Sequence, residues 1–180
     1  MSTESTITRP AVALVPPAFA QPLERLAGLF YALCQIQDGT GCLSGSMPGA
    51  LRSVADHLRR GDLSQEKARY AFTSCSQYLQ HALGSMLWKE MNKGPATVNQ
   101  WSFSPDEKVM SCLRQMADVL QELAGLIAPF EQGRGSPTVC ERLMAGATTL
   151  RQIQEKPELT TFHQGMSYLS MAFTELSLAV

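Results

Sequence analysis

The length, composition and charge of this chain indicate one folded domain and argue against partners recognised by charge alone. The chain has 180 residues, of which 44% are hydrophobic and 17% charged, and its formal net charge is −1. A chain of this length can bury most of its apolar surface in one core, and a charge near zero supplies no overall field that attracts nucleic acid or an anionic membrane. The sequence has no apolar run near the ~20 residues that span a bilayer.

The N-terminal segment is predicted to be a disordered tail, because it is rich in Ser, Thr and Pro. Its end, Ala18-Phe19-Ala20, resembles a signal-peptidase site. However, Pro16 and Pro17 interrupt the short apolar stretch that precedes it, which is atypical of a signal peptide. We therefore predict an uncleaved tail (1–20) followed by one helical domain (21–180).

Proline marks the start of successive apolar segments, which is typical of helices. A proline in the first helical turn loses no hydrogen bond, since the N–H groups there have no intrahelical acceptor, and its φ is already helical. Several of these segments end in glycine, and no alternating strand pattern competes with them. The pattern predicts helix starts near five prolines: Pro22, Pro48, Pro105, Pro137 and Pro157.

The first two predicted helices are separated by a Gly-rich connector. Apolar residues at helical spacing predict the first helix from Pro22 to about Gln37. Residues 38–46 hold too much Gly and Ser to continue it, and they lack the Gly-Lys-Ser/Thr sequence of a phosphate-binding loop. The second helix is predicted to begin at Pro48 and to stop at Gly61.

The third predicted helix is the longest. Asp62 and Gln65 have the spacing of a capping box at its start, and the lysine, glycine and proline at 93–95 end it. Its apolar stripe includes Tyr70 and extends to Met91.

Ser104 is predicted to cap the fourth helix, with Pro105 in its first position and Glu107 completing a capping box. Its apolar residues keep helical register as far as Phe130.

Two more helices complete the predicted architecture. The fifth opens at Ser136-Pro137 and ends near Lys156, and the sixth runs from Leu159 almost to Val180. The fold class is therefore all-α, a single antiparallel bundle of five to six helices behind the disordered tail. We expect the third and fourth helices to form its central hairpin.

The residue types that carry chemistry are scattered along the chain. The histidines His57, His81 and His163 fall on three different predicted helices, and no pair has the spacing that puts two metal ligands on one face. Cys42 and His57 allow a Cys–His pair, but no third orienting group stands at a known spacing. The sequence therefore assigns no catalytic residue, no metal ligand and no cofactor.

The five cysteines form no C-x-x-C pair, and four of them lie in or beside apolar stripes. Buried free thiols behave as small hydrophobic groups, which favours a reducing compartment such as the cytoplasm over a disulfide framework.

Charged side chains concentrate at one corner. Basic residues gather around the turn between the second and third helices, but acids alternate with them, which indicates a solvated corner rather than a nucleic-acid site. Asp118 and Glu122 are interpreted as the solvated flank of the fourth helix. The residues of the corner are Arg52, Arg59, Arg60, Lys67 and Arg69, with Asp56, Asp62 and Glu66.

An aromatic and methionine cluster is the candidate partner-binding site. Methionine adapts to irregular surfaces that receive another helix, although it also fills gaps in bundle cores, and aromatic residues at a helix corner form either a core lid or a binding hot spot. Trp101 is the prime candidate because it lies in a loop rather than on an apolar stripe. The predicted site comprises Trp101, Phe103, Trp88, Met86 and Met91.

The leading functional hypothesis is a non-enzymatic protein–protein interaction module, an adaptor, chaperone-like or regulatory bundle in the cytoplasm. The general layout, a Ser/Thr-rich N-terminus before a compact helical body, is similar to that of bacterial proteins of specialised secretion systems. Two alternatives remain open. One is a host-acting effector secreted by a non-Sec route with residues 1–20 as its export signal, and the other is an enzyme with an unrecognised active site.

Overall fold

Six helices, packed against each other, make up the described part of the chain. The computed structural model describes residues 15–36, 46–91, 106–133, 135 and 138–179. It has short 3₁₀ turns at Pro17–Phe19 and Ala128–Glu131. All of the regular structure in these ranges is helical, which confirms the all-α prediction. The helices are α1 (Ala20–Ile36), α2 (Ser46–Arg60), α3 (Gln65–Met91), α4 (Glu107–Ile127), α5 (Val139–Gln152) and α6 (Leu159–Ala179).

The helices close into a ring around one core. The helix α1 packs between α2 and α4, α3 packs between α2 and α6, and α5 packs between α4 and α6. Apolar side chains from every helix meet in a single buried cluster. The prediction that α3 and α4 form a central hairpin is wrong, because the main neighbours of α3 are α2 and α6. Apolar stripes show which face of a helix is buried but not which helix covers it.

The core begins before residue 21. Val15 and Phe19 are 0% and 1% exposed, and the Phe19 N–H donates to the Pro16 carbonyl at 2.9 Å. Residues 15–20, which were assigned to the tail, therefore belong to the packed body. Residues 1–14 lie outside the described residues.

The helices α1 and α2 begin two residues before the predicted Pro22 and Pro48, and the caps of α3 and α4 differ from the predicted ones. Asp106 caps α4, since its carboxylate accepts from the Val109 N–H at 3.0 Å. The Ser64 hydroxyl accepts from the Lys67 N–H at 3.2 Å at the start of α3, while Asp62 bonds to a histidine instead. In each case two capping residues stand close together in sequence, and the side chain that reaches the free N–H groups decides the start.

The start of α5 follows the same logic. Its cap is Thr138, which forms a full capping box with Glu141, so the helix begins at Val139 rather than at Ser136-Pro137. The stripe of α4 also ends earlier than predicted: Phe130 lies in the 3₁₀ turn and is 42% exposed.

A buried group of hydroxyls holds α3 against α6. Ser76 lies 3.2 Å from the Ser170 hydroxyl and 2.6 Å from the Thr174 hydroxyl, and the Gln80 amide donates to Ser76 at 3.1 Å. Ring stacking of Phe72 on Phe173 lies on the same interface. Polar groups that pair only in one alignment set the register of two helices, so α3 presents a defined face to solvent.

Candidate functional site

The five predicted partner-binding residues fall where the structure describes little. Trp101 and Phe103 lie outside the described residues. Met86, Trp88 and Met91 belong to α3, of which only the backbone is described at these positions. Their role in partner binding stays a prediction.

A groove between α2 and α3 is the candidate site in the described part of the chain. Its volume is about 290 Å³. The buried faces of the two helices carry Val54 and Phe72, so the groove lies on their outer side. We call this surface the α2–α3 groove, and it is lined by Ala50, Ser53, Lys67, Tyr70, Ala71, Ser74 and Tyr78.

Tyr70 stands at the rim of the α2–α3 groove with 77% of its surface exposed. The same ring borders a second recess of about 360 Å³, which Glu66, Arg69 and Thr73 help to line. The prediction that Tyr70 belongs to the buried stripe of α3 is wrong. The neighbouring positions Ala71 and Phe72 are buried, so the buried face of α3 passes beside position 70 rather than through it.

The helical register connects this groove with part of the predicted site. Positions 70 and 88 of α3 are 18 residues apart, which is five turns, so they lie at the same angle about the helix axis. The helix α3 has 27 residues and α2 has 15. At 1.5 Å per residue, α3 is about 18 Å longer than α2. Tyr70 and the position of Trp88 therefore lie on the same face of α3.

Positive charge surrounds the groove. Lys67 is the charged residue in its lining, and it makes no ion pair within the described ranges. Arg52 lies 5.9 Å from the centre of the Tyr31 ring, and Arg60 donates from Nε to the Asp56 carbonyl oxygen at 3.4 Å. Neither contact is an ion pair, although Arg60 and Lys67 both lower the pKa of the Asp62 carboxyl through their charges.

Two acids of this corner, Asp56 and Asp62, have partners of their own. Asp56 pairs with Arg59 at 3.7 Å, and Arg59 also contacts Glu24. Asp62 lies 2.8 Å from Nδ1 of His57, and this hydrogen bond is the main cause that lowers the pKa of the Asp62 carboxyl. The corner predicted from the sequence is thus mixed in charge, and the charges of Arg60 and Lys67 also contribute to the lowered pKa of Asp62.

Reactive side chains in the described part are poorly placed for covalent chemistry. Burial raises the pKa of the Cys75 thiol to about 12, and it also raises the pKa of Cys140, with Glu131 and Glu141 contributing. The Ser167 hydroxyl donates to the His163 backbone carbonyl at 2.8 Å. A thiol with a raised pKa is a weak nucleophile at neutral pH. The Ser167 hydroxyl also lies 3.5 Å from Nδ1 of His163, while its proton is directed to the backbone carbonyl.

A smaller recess of about 220 Å³ lies between α1 and α4, beside Gly28. Its charged side chains form ion pairs between neighbouring helices. Arg25 of α1 pairs with Glu122 of α4 at 2.7 Å, and Asp118 of α4 pairs with Arg151 of α5 at 2.9 Å. The two acids that were predicted to be a solvated flank of α4 are exposed, as expected, but paired. This surface offers no unpaired charge to a ligand.

The methionines divide between core and surface. Met47, Met116 and Met166 are at most 2% exposed and fill the core, while Met144 and Met171 are 37% and 45% exposed. The interpretation that methionines fill the core therefore holds for the buried ones, and a role of the exposed ones in partner binding stays a prediction.

Within the described ranges, no three His, Cys, Asp or Glu side chains gather in a way that could hold a metal ion. The helices of these ranges are also too short or too polar to cross a bilayer. Comparison of the chain with protein-family models, curated proteins and solved structures finds no match.

Proposed function

We propose that this protein is a non-enzymatic interaction module, an adaptor or chaperone-like bundle that binds a helical segment of a partner protein. The docking surface is the α2–α3 groove together with the face of α3 that includes position 88, and the predicted residues Trp101 and Phe103 are tested separately.

The exposure of Tyr70 carries this proposal. A tyrosine with 77% of its surface in water, at the rim of a groove with Ala50 and Ala71 in its lining, keeps apolar area that the fold does not bury. Tyrosines beside pockets are frequent hot spots of protein interfaces, since a large ring is buried on binding at low cost in side-chain entropy. Tyr78, half-buried in the same groove, supplies a second ring.

The shape of the groove favours a helix as its occupant. Its lining extends from Lys67 to Tyr78 along α3, which is three helical turns, or about 16 Å. A third helix laid into the groove between two packed helices is the arrangement by which bundles grow and by which many helical peptides are recognised.

The cellular setting belongs to the same proposal. Cys75, Cys112 and Cys140 are free thiols, and the first two are buried, as suits a protein that meets its partner in the reducing cytoplasm. Service to a specialised bacterial secretion system is the context that the layout of the sequence favours.

Site-specific photo-crosslinking in cells tests the proposal. A photoreactive phenylalanine analogue replaces Tyr70 in one variant and the exposed Lys108 of α4 in a control. We expect a discrete adduct with a partner protein from position 70 and none from position 108. In a separate pull-down, Trp101→Ala is expected to weaken capture of the same partner without changing cooperative melting. Equal adduct patterns from both positions would contradict the proposed surface.

A further inference from the structure

We infer that the partner segment bound by the α2–α3 groove is acidic: an amphipathic helix with aliphatic or aromatic side chains toward Tyr70 and Tyr78 and carboxylates toward Lys67 and Arg60. This inference rests on the proposed function and adds the chemistry of the partner to it.

The lining of the groove is asymmetric in charge. Among its seven lining residues, Lys67 is the charged one, and the polar groups beside it are the hydroxyls of Ser53, Ser74 and the two tyrosines. Hydroxyl groups and an ammonium group all donate hydrogen bonds, and carboxylate oxygens are acceptors only. A carboxylate on the partner therefore finds donors in the groove and meets no lining residue of its own charge.

The described acids near the groove are engaged elsewhere or lie outside its lining. Glu66, next to Lys67 in sequence, lines the neighbouring recess, and the Asp62 carboxylate is hydrogen bonded to His57 at 2.8 Å. Asp56 faces Arg59 at 3.7 Å. Arg60 is therefore left with a backbone carbonyl as its acceptor, at 3.4 Å. Lys67 in the groove lining and Arg60 also lower the pKa of the Asp62 carboxyl through their charges, but neither forms an ion pair with a described acid, so both can pair with a carboxylate on an incoming segment.

The spacing of the two tyrosine rings in the groove predicts the spacing of the apolar side chains on the partner helix. Tyr70 and Tyr78 are eight residues apart on α3, just over two turns, so they lie about 12 Å apart along the axis. A partner helix that meets both presents large apolar side chains at i and i+7 or i+8, with the acidic positions on the flank that faces Lys67. Opposite charge on this flank also speeds association and selects against basic helices.

Selection from a displayed peptide library tests the inference. Helical 18-residue peptides, randomised on one face, are selected on the full chain and counter-selected on Tyr70→Ala. We expect Asp and Glu to be enriched over the starting library on one flank of the retained peptides. The best peptide is then titrated against Lys67→Glu and the matched control Lys108→Glu, in which another exposed lysine is reversed. We expect Lys67→Glu to weaken binding about tenfold and the control to change it less than twofold.

The outcomes distinguish the inference of an acidic partner from the proposed docking surface. Peptides that require Tyr70 but show no acidic enrichment, or that bind Lys67→Glu as tightly as the native chain, overturn the acidic partner and leave the docking surface in place. A failure to obtain any peptide that requires Tyr70 overturns both. A dimer in light scattering that Tyr70→Ala dissociates assigns the groove to a second copy of the chain and likewise overturns the acidic partner. Lys67→Met, which removes the charge and keeps a side chain of similar length, serves if the reversal alters the circular dichroism spectrum.

Discussion

Glu131 and Cys140 are joined across the loop before α5 by a hydrogen bond of 2.7 Å, in which the buried carboxylate accepts from the Cys140 backbone N–H. Its second oxygen accepts from the Val139 N–H at 2.8 Å. The Thr138 and Glu141 side chains satisfy the two flanking N–H groups. Every N–H from the cap to the third helical residue of α5 thus has an acceptor, and a negative charge lies at the positive end of the helix dipole.

Glu131→Gln is expected to lower the free energy of unfolding by about 1–3 kcal/mol, because an amide has one acceptor oxygen and turns a donor toward the other N–H. Urea unfolding followed by circular dichroism measures the change. The control Glu155→Gln alters an exposed carboxylate and should change stability by less than about 0.5 kcal/mol. Equal stability of the two variants would mean that the buried carboxylate contributes nothing to the start of α5.

Two glycines in helices are expected to respond oppositely to substitution. At Gly165 an added Cβ would lie 2.8 Å and 3.1 Å from two side-chain carbons of the buried Leu150, so Gly165→Val should destabilise the α5–α6 contact by about 1–3 kcal/mol. At Gly125 nothing lies within 4 Å of such a Cβ, and Gly125→Ala should stabilise α4 by up to about 1 kcal/mol. Thermal melting of both variants gives the signs, and a stabilised Gly165→Val would contradict the close packing of the two helices.

The Asp62–His57 hydrogen bond makes the α2–α3 turn sensitive to acid. Because this bond lowers the pKa of Asp62, the folded state holds its proton less tightly than the unfolded state. The stabilising contribution is therefore fully present above about pH 4 and disappears as the pH falls through the lowered pKa. The difference in unfolding free energy between the native chain and Asp62→Asn should shrink from pH 6 to pH 2. A difference that is constant with pH would show that the carboxylate charge plays no part.

The buried thiol of Cys75 is expected to resist modification in the folded protein. A pKa raised to about 12 leaves almost no thiolate at pH 8, and the side chain is inaccessible to reagents. Alkylation mapped by mass spectrometry should label Cys75 only at the rate of unfolding, and in urea all thiols should react alike. Rapid labelling of Cys75 under native conditions would indicate that α3 opens locally away from α6.

The helices could be predicted from the sequence because the patterns that define them involve residues close together in the chain. The stripe of α4 from Val109 to Ile127 is buried at the apolar positions that helical spacing predicts. Prolines and capping residues located the starts of the helices to within a few residues. Errors arose where two caps compete, as at α5, and at Phe130, where the stripe continues in sequence after the helix has ended.

The candidate site was only partly accessible to the same reasoning. Periodicity placed Tyr70 in the core, yet the residue is mostly exposed, and the basic corner was recognised without the groove beside it. No pattern in the sequence signals that Lys67 and Tyr78 share a groove with Ala50, since three residues on two helices meet there through packing alone.

Local sequence determined that this protein is built from helices and roughly where each begins, because hydrogen bonding within a helix and the satisfaction of its first N–H groups involve residues a few positions apart. Tertiary structure alone decided that α3 lies between α2 and α6, that Glu131 reaches the start of α5, and that one face of α3 is left open. Those outcomes depend on which apolar faces cover one another, and that competition is settled between segments far apart in the chain.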